Sequence, residues 1–193
     1  MTIVTLPLIG YSIFKIHRLI KRMRRLKMAR DGEKAVGQYL MDLRENGYRI
    51  FHDIIGSGLN VDHVIISDRG IFTIETKTYS KPVSGKPTIT FDGESIQVDG
   101  YTPEHNVVDQ AKAQASWIQD ILKESTGRQL PVKPVIVFPG WFVEASKTAS
   151  GSNVWVLNPK ALPGFLQHEP ACLSPEDVKL AAYHLSRHIR TTK

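Results

Sequence analysis

Apolar residues recur along this chain in two rhythms. Ile9, Ile13, Ile16, Ile20 and Met23 fall four and three apart, which is one face of a helix, with Lys and Arg on the opposite faces. Val36, Leu40 and Leu43, with Tyr39, give a second helical stripe. Asp31 as N-cap opens a helix over 32–45, with Glu33 in its first turn and Asn46-Gly47 as its stop. The rhythm then shortens. Tyr48 to Ile55, Val61 to Ser67 and Ile71 to Thr78 read as strands. Gly56-Ser57-Gly58 separates the first pair, and the tight turn Asp68-Arg69-Gly70 separates the second. Together they form an antiparallel meander.

A hairpin follows, with Thr88 to Phe91 and Ser95 to Val98 flanking the turn pair Asp92-Gly93. Val107, Val108, Ala111, Ala115, Ile118 and Leu122 share one stripe and predict a helix over 104–124. Pro134 to Phe138 and Val154 to Leu157 are short apolar runs that suit buried strands. Asn158-Pro159 opens a short helix near 160–167. Ser174 as N-cap and Pro175 at the first helical position open the last helix, which ends near Ile189. This order predicts an α/β chain: a mixed sheet with helices on its faces. The 193 residues suit one domain with an appendage. The division is residues 1–30 as an N-terminal hydrophobic and basic helix, and 31–193 as the domain.

Charge changes the picture mainly at the N-terminus. The net charge is +6, but residues 15–30 hold eight of the 25 Lys and Arg, and no acid interrupts them before Asp31. The rest has 17 basic against 19 acidic residues and is nearly neutral. A basic segment favours polyanions, either nucleic acid or an anionic membrane face. Residues 3–14 are mostly apolar, yet too few to span a bilayer alone, which takes about 20 residues. The charges follow the apolar part, and no small-residue cleavage site is evident, so a signal peptide fits poorly. Three readings stand: a short membrane anchor, an amphipathic helix on a membrane or partner, and a helix packed on its own domain or on a second copy.

The single cysteine, Cys172, excludes an internal disulfide and a four-thiolate zinc site, and fits a reducing compartment. It reads as a buried structural thiol. There is no Gly-rich phosphate loop, so ATP use is not supported.

Candidate chemistry gathers in the meander. Asp62 opens the second strand and Glu75-Thr76-Lys77 closes the third. Glu75 and Lys77, two apart, project to the same face. Counting back from the turn puts Asp62 opposite Glu75, so their carboxylates converge. Two such acids suit Mg2+ or Mn2+ through oxygen ligands, and Lys77 suits charge on a phosphate. Glu33 adds a carboxylate from the first helix. Taken alone, Glu75 and Lys77 also match an exposed ion pair on a polar sheet face, and Glu33 matches an acid favoured by a helix dipole. His63 faces away from Asp62 and reads as a packed or hydrogen-bonded core histidine. His52 and Asp53 read as solvated strand-end residues. Trp117, Trp141 and Trp155 read as core or cleft-rim residues, and Lys112, Lys123 and Arg128 as ordinary surface charges.

From Gly32 to about Val143 the chain resembles the nuclease-related domain family, a branch of the PD-(D/E)xK nuclease-like fold. The resemblance is carried by Gly32-Glu33, Asn60-Val61-Asp62-His63-Val64, Gly70-Ile71-Phe72-Thr73-Ile74-Glu75-Thr76-Lys77 and Asp109-Gln110-Ala111. It implies a restriction-endonuclease-like core, a central mixed sheet with a helix on each side, and Mg2+-dependent phosphodiester cleavage. It makes Glu33, Asp62, Glu75, Lys77 and Gln110 active-site residues, with Gln114 lining the same cleft. Asp62, Glu75 and the Thr76 carbonyl would be the metal ligands and Gln114 would meet nucleic acid; outside the resembling stretch, Arg25 and Lys27 of the basic N-terminal stripe would meet its phosphates. The expectation is a metal-dependent nuclease acting on DNA ahead of RNA, in the cytoplasm, with tethering to the cytoplasmic membrane face through residues 1–20 or homo-oligomerisation as further options. The alternative is a catalytically weak module that binds nucleic acid or a partner and is tethered by its N-terminal helix.

Overall fold

The computed structural model describes residues 2–56 and 58–192, with side chains from residue 8 onward. The expected Gly56-Ser57-Gly58 turn therefore lies partly outside the described residues. The meander is present as β1 (Arg49–Ile55), β2 (Asn60–Ser67) and β3 (Gly70–Thr76). Its register pairs His52 with His63 and His63 with Ile74, all antiparallel. β3 then takes a parallel neighbour, β6 (Val132–Val137), and β6 takes β8 (Trp155–Leu157), also parallel. The result is a mixed five-stranded sheet in the order β1-β2-β3-β6-β8.

Every residue of β3 is buried, and so are seven of the eight in β2. Central strands covered on both faces read as continuous apolar runs rather than as alternation. One face meets α1 (Thr2–Met41) through Val36 and Leu40, and α3 (Leu162–His168) through Leu162 and Leu166. The other meets α2 (Val107–Thr126) through Ile118 and Leu122, and α4 (Pro175–Thr191) through Ala181 and Leu185. The expected α/β architecture, a central mixed sheet flanked by helices, is what the chain adopts.

A smaller sheet was only half legible. The hairpin β4 (Thr88–Phe91) and β5 (Ile96–Val98) is joined by β7 (Phe142–Ala145), which pairs parallel with β4. No residue of β7 is buried, so it carries no apolar pattern and goes unseen in the sequence.

The first helix also departs from expectation. Asp31 does not cap a helix. α1 runs unbroken through it from Thr2 to Met41, and a 3-10 turn, Asp42–Asn46, ends at Gly47 with φ 85°. Gly32, the residue after Asp31, serves close approach instead. A Cβ there would collide with Cγ2 of Thr78, just beyond β3. One helical glycine costs only about 1 kcal/mol, so the helix passes through it. Residues 8–27 of α1 are exposed throughout, whereas Val36 and Leu40 are buried. No described helix is long and apolar enough to cross a membrane.

Two minor readings are corrected. Cys172 is exposed, not buried. Its pKa is raised, first by partial desolvation and then by Glu169, which works against the thiolate. His52 is half-buried rather than solvated, because it pairs with His63.

Candidate active site

The antiparallel turn at 68–70 places His63 opposite Ile74, so the next pair out is Asp62 and Glu75. The backbone then fixes Asp62 directly. The amide of Thr76 donates to its Oδ2 at 2.8 Å. Lys77, just past the end of the central strand β3, is held by its own amide, which donates to the carbonyl of Val137 at 3.0 Å. The pattern Glu75-Thr76-Lys77 is thus locked on both sides, by β2 and by β6.

α2 completes the arrangement. Asn106 caps it, its side chain accepting from the amides of Val108 and Asp109. The helix then presents Gln110 and Gln114, one turn apart, to Glu75. Gln110 Nε2 donates to Glu75 Oε1 at 2.8 Å, and Gln114 Nε2 donates to Oε2 at 2.6 Å. Lys77 Nζ lies 2.6 Å from Glu75 Oε1 and donates to Gln110 Oε1 at 2.9 Å. Gln114 is 1% exposed, so it is part of the core and not a surface polar. It also donates to the carbonyl of Asn60. Asn60 had no functional reading in the sequence; nothing about an Asn foretells use of its backbone oxygen.

Electrostatics follow from the crowding. Asp62 is 9% exposed, and its pKa is pushed up to about 7. Burial is the main cause and the Glu75 carboxylate the next; the Thr76 amide opposes them, Glu33 adds to the rise, and Lys77 opposes it. Glu33 is raised as well, by burial first, then by Glu75 and Asp53, with Lys77 opposing. Since Glu33 sits well inside α1, an N-terminal dipole does not account for it. Asp53 is a residue that sequence reasoning set aside. It lies between the pairs His52–His63 and Ile54–Val61, across from Asp62, with a positive φ of 52°. Four acids therefore share this end of the sheet with one lysine.

That donor set fits a divalent cation in one respect and strains against it in another. Repulsion between Asp62 and Glu75 is what a bound cation would relieve. Both oxygens of Glu75 are already engaged, by three donors in all. A carboxylate offers about four acceptor positions, so one remains. Among the described residues no group of three His, Cys, Asp or Glu side chains stands close enough to hold a metal. A site here draws on two carboxylates and main-chain oxygen, with Glu33 outside the immediate set.

The other expectations sort as follows. His63 is buried, with Nδ1 2.8 Å from Nδ1 of His52, on the α1 face of the sheet; it is a core histidine, as its position implied. Burial pushes its pKa down to about 4, and His52 adds to the drop. Trp141 is buried, while Trp117 and Trp155 are partly buried against the two large cores. Arg128 pairs with Asp177 on the surface. Arg25 and Lys27 are exposed on the projecting part of α1, and among the described residues no polar contact joins them to the site.

Comparison with known proteins gives three findings. The family model for the nuclease-related domain matches residues 29–139, more than half of the chain. No curated protein matches it. Among solved structures, SfsA of Pyrococcus furiosus in complex with Ca2+ aligns at 16% identity and a TM-score of 0.31, a correspondence too loose to define a shared fold. The alignment covers 64% of this chain and spans about half (52%) of that one.

Proposed function

Because the chain belongs to the nuclease-related domain family, within the PD-(D/E)xK-like nuclease superfamily, we propose that it is a metal-dependent nuclease that hydrolyses phosphodiester bonds, DNA ahead of RNA. The observation that carries this reading is that Asp62 and Glu75 are both buried on neighbouring strands, Asp62 held by the Thr76 amide and Glu75 bound by Lys77.

Asp62, Glu75 and the carbonyl of Thr76 are the residues that would hold Mg2+ or Mn2+, which polarises a phosphodiester and acidifies a water. The protein's own groups do the rest. The Thr76 amide fixes the Asp62 carboxylate, so little reorganisation remains when substrate arrives. Gln114, buried, orients Glu75 from behind. Lys77 is 25% exposed along its side chain, enough to meet a phosphate oxygen while Glu75 and Gln110 aim it. Its cation offsets negative charge that develops on the phosphate, and it can orient the attacking water. Glu33, its pKa raised first by burial and then by Glu75, would take or return a proton at the margin of the site.

The deciding experiment is a cleavage assay with Mg2+ or Mn2+ on linear, circular and single-stranded substrates. Wild type cleaves, while Asp62→Ala and Lys77→Ala, still folded, do not. Equal cleavage by all three proteins overturns the reading.

One observation favours a second reading. With three donors already on Glu75, the site as described has a structural network of its own. A module that binds nucleic acid without turning it over would keep that network intact. Binding with no cleavage in either metal supports it.

A further inference from the structure

The projecting part of α1 serves neither the core nor the site. From Leu8 to Leu26 ten large apolar side chains are exposed, an area that an isolated soluble domain rarely leaves uncovered. Its polarity is ordered along the helix. The described residues 8–14 carry no charge on any side. At about 100° per residue, Ile16, Leu19, Ile20, Met23 and Leu26 then fall within an arc of about 120°. Lys15, Arg18, Lys21, Arg22 and Arg25 occupy an arc of similar width on the far side, while Arg24 flanks the apolar arc and Lys27 and Arg30 fall within its last turn, beside Ile20, Met23 and Leu26. The core-facing residues Val36 and Leu40 lie about 120° round from the centre of the apolar stripe. The stripe is therefore not the core-packing face carried on past the domain.

We infer that this segment of α1 is an interfacial helix that seats the protein on an anionic bilayer surface. The charge selects the occupant. Eight Lys and Arg with no acid among residues 15–30 oppose the docking of a second, equally cationic copy, and match acidic headgroups. A duplex would answer the cations but leave the isoleucine stripe and the uncharged turns before it in water. A bilayer surface answers both, with the apolar arc sunk into the boundary between headgroups and acyl chains and the cations at phosphate level. Tyr11 and Phe14 stand just before the first cation, where aromatic side chains favour an interface. Glu33 is only about 10 Å along the helix from Leu26, so the site would work close to the membrane. None of this depends on whether the site cleaves.

The test is co-sedimentation of the full chain with vesicles of phosphatidylcholine alone and of phosphatidylcholine with 30% phosphatidylglycerol. Wild type binds the anionic vesicles and not the neutral ones. Ile16→Asp/Ile20→Asp abolishes binding, and Lys15→Gln/Arg18→Gln/Arg22→Gln weakens it about fivefold per charge removed. Neither set touches the domain, so melting temperatures stay at the wild-type value. Equal binding to both vesicle types overturns the inference. So does binding that needs the three cations but not the two isoleucines, the pattern of a nucleic-acid grip. Lipid-free self-association that Ile16→Asp/Ile20→Asp abolishes would give the face to a second copy and likewise overturn it.

Discussion

The backbone amide of Thr76 donates to the Asp62 carboxylate at 2.8 Å, so the residue between Glu75 and Lys77 in sequence is the one that ties the two strands of the site together. A carboxylate that is both held and crowded makes Asp62 a control point for stability as well as for activity.

Replacing it separates the two. Asp62→Asn keeps an oxygen to accept from Thr76 and removes the charge. Cleavage with Mg2+ should fall by at least about a hundredfold, as loss of a principal electrostatic group does. The metal-free protein should become more stable at pH 8, by about 1–3 kcal/mol, because the variant removes the cost of burying a charge there and, with it, the repulsion from Glu75. Thermal melts beside the assay check both. A variant that is inactive and also less stable would mean that Asp62 mainly serves the fold.

The pH dependence of stability carries two opposing contributions. Asp62 is raised to about 7, so the folded state holds its proton where the unfolded chain has lost it. Its contribution favours the fold at low pH and is lost as pH rises from about 4 to about 7. His63 is lowered to about 4, so it is neutral in the fold where the unfolded chain would charge. Its contribution is present above about 6.5 and is lost as pH falls toward 4. In Asp62→Asn the histidine remains, and stability should climb with pH across 4–6.5. Chemical denaturation from pH 4 to 8 reads this, and a flat profile in the variant would exclude the histidine effect.

Gln114 and Gln110 grip opposite oxygens of Glu75, but only Gln114 is buried. Gln114→Leu should lower the cleavage rate by about 10–100-fold and destabilise the fold by about 1–3 kcal/mol, since a buried carboxylate loses a donor. Gln110→Ala, at the exposed position, should cost about tenfold or less in rate with little change in melting temperature. Steady-state kinetics and melts on both variants make the comparison. Equal effects would mean that burial does not set their ranking.

The approach of α1 to the end of β3 depends on the missing side chain at Gly32. Ala normally beats Gly in a helix by about 1 kcal/mol. Here its Cβ would strike Thr78 Cγ2, and overpacking costs about 1–3 kcal/mol. Gly32→Ala should therefore destabilise, and should lower cleavage by moving Glu33. Adding Thr78→Ala removes the obstructing methyl group and should restore stability to wild type or above. A double mutant no better than the single would place the strain elsewhere.

Much of this protein was written in local order. The strands of the meander, the Asp92-Gly93 hairpin and the cap at Ser174 are decided by neighbours within a few residues. Even the register that brings Asp62 toward Glu75 was countable as far as His63 opposite Ile74, because one tight turn fixes it between two consecutive strands. What was not countable came from residues distant in sequence. β7 has no buried residue and exists because β4 offers it hydrogen bonds across some fifty positions. Gly32 looked like a helix boundary until Thr78 showed what it makes room for. The sequence set Gln110 and Gln114 one helical turn apart, but only tertiary packing made one a buried brace and the other an exposed partner of Lys77. Periodicity and turn chemistry are short-range and survive in a linear string. Burial and the field that raises Asp62 depend on distances through space, which the folded chain alone defines.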